Sequence, residues 1–497
     1  MRDCAGRVDA DTAHENTAAD TGCKELNMAR AKNAFTPARL LGLLVAVLAF
    51  AIPWIIHFHD LSEAGHRVFA IFLMAVVLWV TEAIPLHATA ALIILLNILL
   101  ASSAAVIPLP KDYAAPAYTL YFNALANPVL MLFLGGFFLA DGAAKYGLDK
   151  NLARVLLKPF GTKPDRIILG LMVIAAVFSM FMSNTATTAT LMAVVLPVAA
   201  RLPAGDKGKI ALILCIPFAA NIGGMGTPVG TPPNAIALGA LNKAGIQVSF
   251  IEWMIMVMPF MLVLLLFTWF VLTRIFRSKA TAITIDIQST FDRSPQARLF
   301  YVVAGATILL WFTEPLHGIQ SSIVGFLPVV VMLATRLISD KEFHSMQWSV
   351  LWLVAGGIAL GDGVAKTGLD KWLIALIDWE NMAPGMVAGA LCVTALLFST
   401  IISNSATANL LIPIGMSLAA SPAVSMSPLN LAIFIALGSS LAMALPISTP
   451  PNAIAYATGT VQTKQMAIAG TFVAIAGLPL FIWLAPRVWA VMGMMNP

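Results

Sequence analysis

Apolar runs of about 20 residues recur from Arg39 to Trp489, each long enough to cross roughly 30 Å of hydrocarbon as a helix. The pattern predicts spans near 40–58, 67–85, 88–108 and 119–144, then an apolar stretch at 167–200 interrupted by Ser183-Asn184-Thr185. Next come 208–242, interrupted by glycines and prolines at 223–233, and a long span at 250–273. After a hydrophilic segment from Arg274 to Arg298 the plan returns. It gives spans near 299–315, 321–338 and 346–365, an interrupted stretch at 385–420, an interrupted span at 428–460 and a last one at 465–490. A β-barrel would show short alternating segments in place of these long runs. The fold class is an all-α polytopic membrane protein.

Composition agrees. Of 497 residues, 59% are hydrophobic and 11% charged, against about a quarter charged in soluble domains, so most of the surface cannot face water. The net charge of +5 comes from basic residues scattered through short loops. They read as topology determinants, with no nucleic-acid partner implied. Cys4 and Cys23 lie in a polar leader and Cys215 and Cys392 in apolar helices, with neither metal-ligand spacing nor a disulfide framework. Residues 1–38 are polar, so disorder is expected there. Met28 opens Met28-Ala29-Arg30-Ala31-Lys32, a conventional basic start, and is a candidate initiator. The run from Leu40 to Phe58 is long for a signal sequence and lacks a small-residue cleavage site, so a retained first span is expected.

Internal duplication is legible residue by residue. Thr81-Glu82 with Pro85-Leu86-His87 is echoed by Thr313-Glu314-Pro315-Leu316-His317. Gly135-Gly136, Asp141-Gly142 and Gly147-Leu148-Asp149-Lys150 are echoed by Gly356-Gly357, Asp362-Gly363 and Gly368-Leu369-Asp370-Lys371. Ser183-Asn184-Thr185-Ala186-Thr187 and Thr231-Pro232-Pro233-Asn234 return as Ser403-Asn404-Ser405-Ala406-Thr407 and Thr449-Pro450-Pro451-Asn452.

Loop charge sets an expected orientation. Lys145, Lys150, Arg154, Lys158, Lys163 and Arg166 oppose only Asp149 and Asp165, whereas the matching later segment sets Lys366 and Lys371 against Asp370, Asp378 and Glu380. The positive-inside bias puts the first segment in the cytoplasm and the second outside, and Arg274, Arg277, Lys279, Arg293 and Arg298 keep the central linker inside. Both hold only if 167–200 and 385–420 each enter and leave on one side as re-entrant helical hairpins. The expected division is then a tail at 1–38, a first span and loop at 39–66, and a repeat at 67–276 with hairpin 167–200. A cytoplasmic linker at 277–298 and an inverted second repeat at 299–497 with hairpin 385–420 complete it. That makes about eleven transmembrane helices plus two hairpins, with the N-terminus cytoplasmic and the C-terminus outside. Inverted repeats with broken helices at the midplane are a known carrier plan.

A hairpin tip leaves unpaired N–H donors at the start of one arm and unpaired carbonyls at the end of the other. The first attract carboxylates and the second suit Na⁺. Ser183, Asn184 and Thr185 add short oxygens and an amide there, and Ser179 lies one turn before Ser183, as Ser399 does before Ser403. Prolines and glycines at 223–233 and 446–451 must unwind their helices, placing Thr231 and Thr449 on irregular backbone. Neither motif block contains Lys or Arg. An anion here would be held by helix ends, hydroxyls, amides and co-bound cations.

Single Ser, Thr and Asn residues in spans commonly act as interhelical glue. The duplication, and the coincidence of tip with break, favour a solute site. Asp141 and Asp362 could form a carboxylate pair for an intramembrane enzyme, but the inverted plan puts them near opposite faces, which favours structural roles. Glu82 and Glu314 read as helix-end residues, with proton coupling as the alternative.

These paired motifs, together with Thr81-Glu82-Ala83-Ile84-Pro85-Leu86, resemble the divalent anion/sodium symporter family of INDY-like dicarboxylate transporters. The similarity covers nearly everything from about Arg39 onward. It implies a homodimer in a bacterial inner membrane, contacting membrane lipid, with a fixed scaffold and an elevator-type transport domain. By position it implies a first sodium site at Ser179, Ser183, Asn184 and Gly230. A second would use Ser399, Asn404 and the carbonyls of Ile402 and Ser448. It further implies substrate contacts at Ser183-Asn184-Thr185, Ser403-Asn404-Ser405, Thr231, Thr449 and Pro450. Ser405 stands where relatives often have threonine, which bears on substrate size. The implied function is no enzyme but Na⁺-coupled symport of C4-dicarboxylates such as succinate, malate or fumarate. A dicarboxylate or citrate antiporter and a sulfate carrier are the rivals.

Overall fold

The computed structural model describes residues 36–493 apart from 204, 286, 288, 377–381 and 422–425. Most of the polar leader with Cys4, Cys23 and Met28, and also Asp378 and Glu380, lie outside the described residues. Described residues form helices and connecting turns only. The first half runs α1 (Pro37–Ile55), α2 (Glu63–Thr81), α3 (Leu86–Ala101), α4 (Pro128–Lys145) and α5 (Leu148–Leu157). It continues with α6 (Pro164–Ser179), α7 (Asn184–Arg201), α8 (Gly208–Gly224), α9 (Pro232–Lys243) and α10 (Phe250–Ile275). The second runs α11 (Pro295–Phe312), α12 (Ser321–Ala334), α13 (Trp348–Thr367), α14 (Leu369–Ala375) and α15 (Pro384–Ile401). It ends with α16 (Asn404–Ala419), α17 (Pro428–Ser440), α18 (Pro450–Ala457) and α19 (Thr463–Pro479), which passes through a π turn into Ala485–Val491. Helix for helix, α2–α10 and α11–α19 follow the same order.

Seven described helices reach the length and apolarity of a membrane span: Pro37–Ile55, Glu63–Thr81, Thr119–Lys145, Phe250–Ile275, Pro295–Phe312, Trp348–Thr367 and Thr463–Val491. The other expected spans are present but shorter. At 1.5 Å per residue, α3 and α12 are only about 24 and 21 Å long. The expected spans 208–242 and 428–460 are each broken by their prolines into two helices, and the stretches 167–200 and 385–420 are each broken at the Ser-Asn pair. Leu41, Val47 and Ile55 on α1, Val302 and Leu309 on α11 and Ile475 on α19 expose apolar side chains, as faces against lipid do.

The repeats interlock reciprocally. Helix α3 packs on α13 while α12 packs on α4, and α8 packs on α18 while α17 packs on α9. Glycine makes both outer crossings possible: a Cβ on Gly135 would lie 1.8 Å from Gly325 O, and one on Gly356 would lie 2.4 Å from Ala90 Cβ. Small residues let membrane helices approach this closely. Gly147 and Gly368 are both left-handed, with φ of 63° and 73°, and start α5 and α14.

Several charges on the helices are matched to partners. Arg67, 1% exposed, donates to Glu63 and to the carbonyls of Leu100, Ile107 and Pro108, which fixes the loop after α3. Lys145 Nζ at the end of α4 reaches Glu342 at 2.8 Å. Burial raises the Glu342 carboxyl, but Lys145 and the Ser339 amide and hydroxyl outweigh it and hold the group below the usual carboxylate range. Lys243 at the end of α9 pairs with Asp362 on α13. The carboxylate-pair alternative therefore meets a different geometry: Asp362 is held by a lysine of the other repeat.

Candidate functional site

Helices α6 and α7 form one hairpin, α15 and α16 another, and each leans on the first half of its own broken helix, α8 or α17. Ser183 and Ser403 are the N-caps of the second arms: Ser183 Oγ accepts from Ala186 N and Ser403 Oγ from Ala406 N, both at 3.2 Å. The seryl-asparagine sequence thus stops one helix and starts the next, as capping chemistry requires. The hydroxyl one turn upstream braces the tip. Ser179 Oγ donates to Asn184 Oδ1 at 2.5 Å, and Ser399 Oγ lies 2.7 Å from Asn404 Oδ1 and 2.6 Å from Ser439 O.

The breaks are built alike. Thr231 and Thr449 are extended, with φ of −149° and −144°, and proline follows at the first helical position, where its missing N–H costs nothing. Asn234 Nδ2 donates to the carbonyls of Gly224, Met225 and Thr227 at 3.0, 3.3 and 2.8 Å. Asn452 Nδ2 donates to the matching carbonyls of Met443 and Leu445 at 2.9 and 3.1 Å. Each asparagine of Thr-Pro-Pro-Asn therefore satisfies carbonyls that unwinding frees, a structural duty. Hydroxyls of the breaks also hold the ends of the first hairpin arms: Thr227 donates to Met180 O, and Ser448 to Thr400 O at 2.9 Å.

Both tips and both breaks face one cavity of about 350 Å³, a size usual for small-molecule sites. Ser183, Asn184, Thr185, Thr231, Ser403, Asn404, Ser405, Thr449 and Pro450 all line it, as do Gly230 and Ser448. Ser179 and Ser399 lie fully buried behind the wall, attached to Asn184 and Asn404. Ile402 is also buried, at the extended turn between α15 and α16. At the first tip a Cβ on Gly224 would meet Asn184 Oδ1 at 2.5 Å, and one on Gly230 would meet Gly224 O at 2.4 Å and Ser179 O at 2.9 Å. Oxygens converge there because no side chain intervenes. An all-oxygen donor set suits a hard cation.

Asn221, Gln347 and Ser349 are polar lining residues outside the repeated blocks, and His87 is a lining residue within one. Asn221 joins the halves: its Oδ1 accepts from Asn184 Nδ2 at 3.4 Å, and its Nδ2 reaches Thr449 Oγ1 at 3.1 Å and Asn452 Oδ1 at 3.2 Å. Gln347, just before α13, donates from Nε2 to Ser183 Oγ at 3.0 Å. His87, in the first turn of α3, faces the cavity, whereas the repeat partner His317 bonds Leu310 O and Ile319 N. Among the described residues, no Lys, Arg, Asp or Glu lines this cavity. An amide in an apolar run just before Gly223-Gly224 was the available signal for Asn221. Gln347 and Ser349 gave none, and the repeated Pro-Leu-His text did not point His87 to the cavity.

Apolar helices around a central oxygen-lined chamber, built from two broken and interlocked halves, define an integral membrane transporter. The chain belongs to the citrate transporter family, whose model matches residues 76–438. It is 31% identical over 490 residues to the sodium-dependent dicarboxylate transporter SdcS of Staphylococcus saprophyticus, covering 90% of this chain and 91% of the relative. The protein of that name from Staphylococcus aureus is 30% identical over 481 residues, with 89% of each chain covered. These relatives bear out the resemblance drawn from the paired motifs. Among solved structures, the YdaH transporter of Alcanivorax borkumensis matches with 15% identity and a TM-score of 0.49, over 82% of this chain and 98% of that one.

Proposed function

We propose that this protein is a secondary carrier coupling Na⁺ to the uptake of a C4-dicarboxylate such as succinate, malate or fumarate across a bacterial inner membrane. One observation carries the reading: the central cavity offers hydroxyls, amides and helix N-termini from both halves, with no lysine or arginine among its lining residues. Moving a dianion alone through a low-dielectric core is prohibitive. Sodium ions bound behind the tips would cancel that charge, which makes coupling a requirement of the electrostatics. The sodium-dependent relatives support the same conclusion.

In this mechanism Ser179, Ser183, Asn184 and Gly230 hold the first sodium, and Ser399, Asn404 and the carbonyls of Ile402 and Ser448 hold the second. The substrate carboxylates meet the N-termini of α7 and α16 through Ser183-Asn184-Thr185 and Ser403-Asn404-Ser405, with Thr231, Thr449 and Pro450 closing the sides. The two repeats are inverted in the membrane, the hairpins are re-entrant, and the N-terminus is cytoplasmic with the C-terminus outside. The hairpins and broken helices form the transport domain, which slides against a scaffold of α1–α5 and α11–α14 in a homodimer embedded in lipid. The family description favours a second reading, exchange or symport of citrate in the same pocket. Labelled-substrate uptake into proteoliposomes separates them. Succinate accumulation that follows a sodium gradient and resists citrate competition is expected. Indifference to sodium, with strong stimulation by internal substrate, would replace symport with exchange.

A further inference from the structure

We propose that Asn221 couples the two half-sites, so that a cation held at the first tip orients Thr449 in the second to receive the anion. This rests on the sodium-coupled reading above. Asn221 is 1% exposed and lines the cavity. A carboxamide has an acceptor on one side and donors on the other, so fixing one fixes its neighbour. Asn184 Oδ1 faces Ser179 and the glycine-lined oxygen cluster, which directs Asn184 Nδ2 onto Asn221 Oδ1. Rotating either amide would set two carboxamide oxygens against each other. With its oxygen engaged, Asn221 presents Nδ2 to Thr449 Oγ1 and Asn452 Oδ1. Asn452 cannot reverse, because its own Nδ2 is committed to Met443 O and Leu445 O. Thr449 Oγ1 already accepts from Asn221 and from Asn452 N at 3.3 Å, so its own proton is free to point into the cavity it lines. A hydroxyl held as a donor is what a carboxylate needs.

The bridge has no counterpart at the equivalent place in the second repeat. The residue there is Ser439, whose Oγ turns back to Ile435 O at 2.7 Å within its own helix. Of these two equivalent positions only Asn221 reaches across to the other half, a residue that the repeat does not demand.

The test uses Asn221→Ser, which copies the second repeat, and Asn221→Ala, which removes both ends of the bridge without adding charge. Uptake in proteoliposomes is measured against sodium and succinate, and sodium-dependent thermal shifts are measured on the same detergent-purified proteins. Half-saturating sodium is expected to rise at least about fivefold and its Hill coefficient to fall toward unity. The KM for succinate is expected to rise about tenfold. The sodium-induced thermal shift should weaken in parallel, which reads the coupling in a variant that folds but transports poorly. A parent protein indifferent to sodium would overturn the sodium reading and the coupling together. A sodium-driven parent whose variants keep its sodium cooperativity, succinate KM and thermal shift would overturn the coupling alone.

Discussion

In the first half-site the break between α8 and α9 is built on Gly223, Gly224, Gly226 and Gly230, while the second has Leu441, Ala442, Ala444 and Ser448 at the equivalent places. The glycines let Asn184 Oδ1 and the carbonyls of Ser179 and Gly224 crowd together, and Trp253 Nε1 props the turn by donating to Met225 O at 3.0 Å. The second half-site ties the end of its first hairpin arm with Ser448 Oγ on Thr400 O, where the first uses Thr227 Oγ1 on Met180 O, a hydroxyl from a different place in the break. Capping serines, tip asparagines and threonine-proline breaks are shared, and what stands behind them differs. Duplication fixed the shared frame, and later divergence made the two halves of the chamber unequal in backbone and side-chain oxygens.

Replacing a tip asparagine strikes what the half-sites share. Asn184→Ala and Asn404→Ala should each cut uptake by about 100-fold while purified protein stays monodisperse, since hydrogen bonds to charged groups are the strongest single contacts here. Asn184→Ala should be the worse of the two, because Asn221 loses its partner as well. Normal kinetics in either variant would remove the assignment of that tip.

A methyl group should next tell the halves apart. Gly224→Ala puts a Cβ 2.5 Å from Asn184 Oδ1, so sodium-driven uptake should fall about tenfold or more, in line with overpacking of a few kcal/mol. The reverse change at the matching place, Ala442→Gly, should cost only about 1 kcal/mol of stability and leave uptake within about threefold. Equal effects, read by uptake and thermal unfolding, would mean that the breaks are interchangeable after all.

The smallest expected difference concerns the repeated aspartates. Asp362→Asn leaves Lys243, with 32% of its side chain exposed, without its counter-charge. It should cost about 1–3 kcal/mol in thermal unfolding, between surface and buried pairs. Asp141→Asn breaks no ion pair and should be nearly silent. A silent Asp362→Asn would show that the pairing across α9 and α13 does not matter.

Much of the architecture was legible in the chain because membrane helices announce themselves by length and because a repeat reports itself twice. Ser183, Asn184, Ser403 and Asn404 were found by that doubling, and the structure brings them to one chamber. Asn221 and Gln347 were not found, because they stand outside the repeated text, Ser439 replacing the first. His87 was inside that text, but its copy His317 spends its ring on backbone, so the doubling did not mark it as a site residue. The duty of Asn234 and Asn452 was hidden for another reason. Their text sits beside the site, but their amides serve carbonyls freed by proline, and only the traced backbone reveals which carbonyls those are. Span lengths misled at α3 and α12, since hydropathy continues past the point where each helix stops.

Those two asparagine staples carry a consequence for how such a molecule can change. An unwound stretch inside a lipid-bound protein is ordinarily a weak seam, yet here each seam is stitched from within by one amide. Mutations at the tips can therefore accumulate without loosening the fabric that presents them. A lineage is free to retune its cargo by swapping a methyl or a hydroxyl, as Ser405 opposite Thr185 already illustrates, while the stitching stays put.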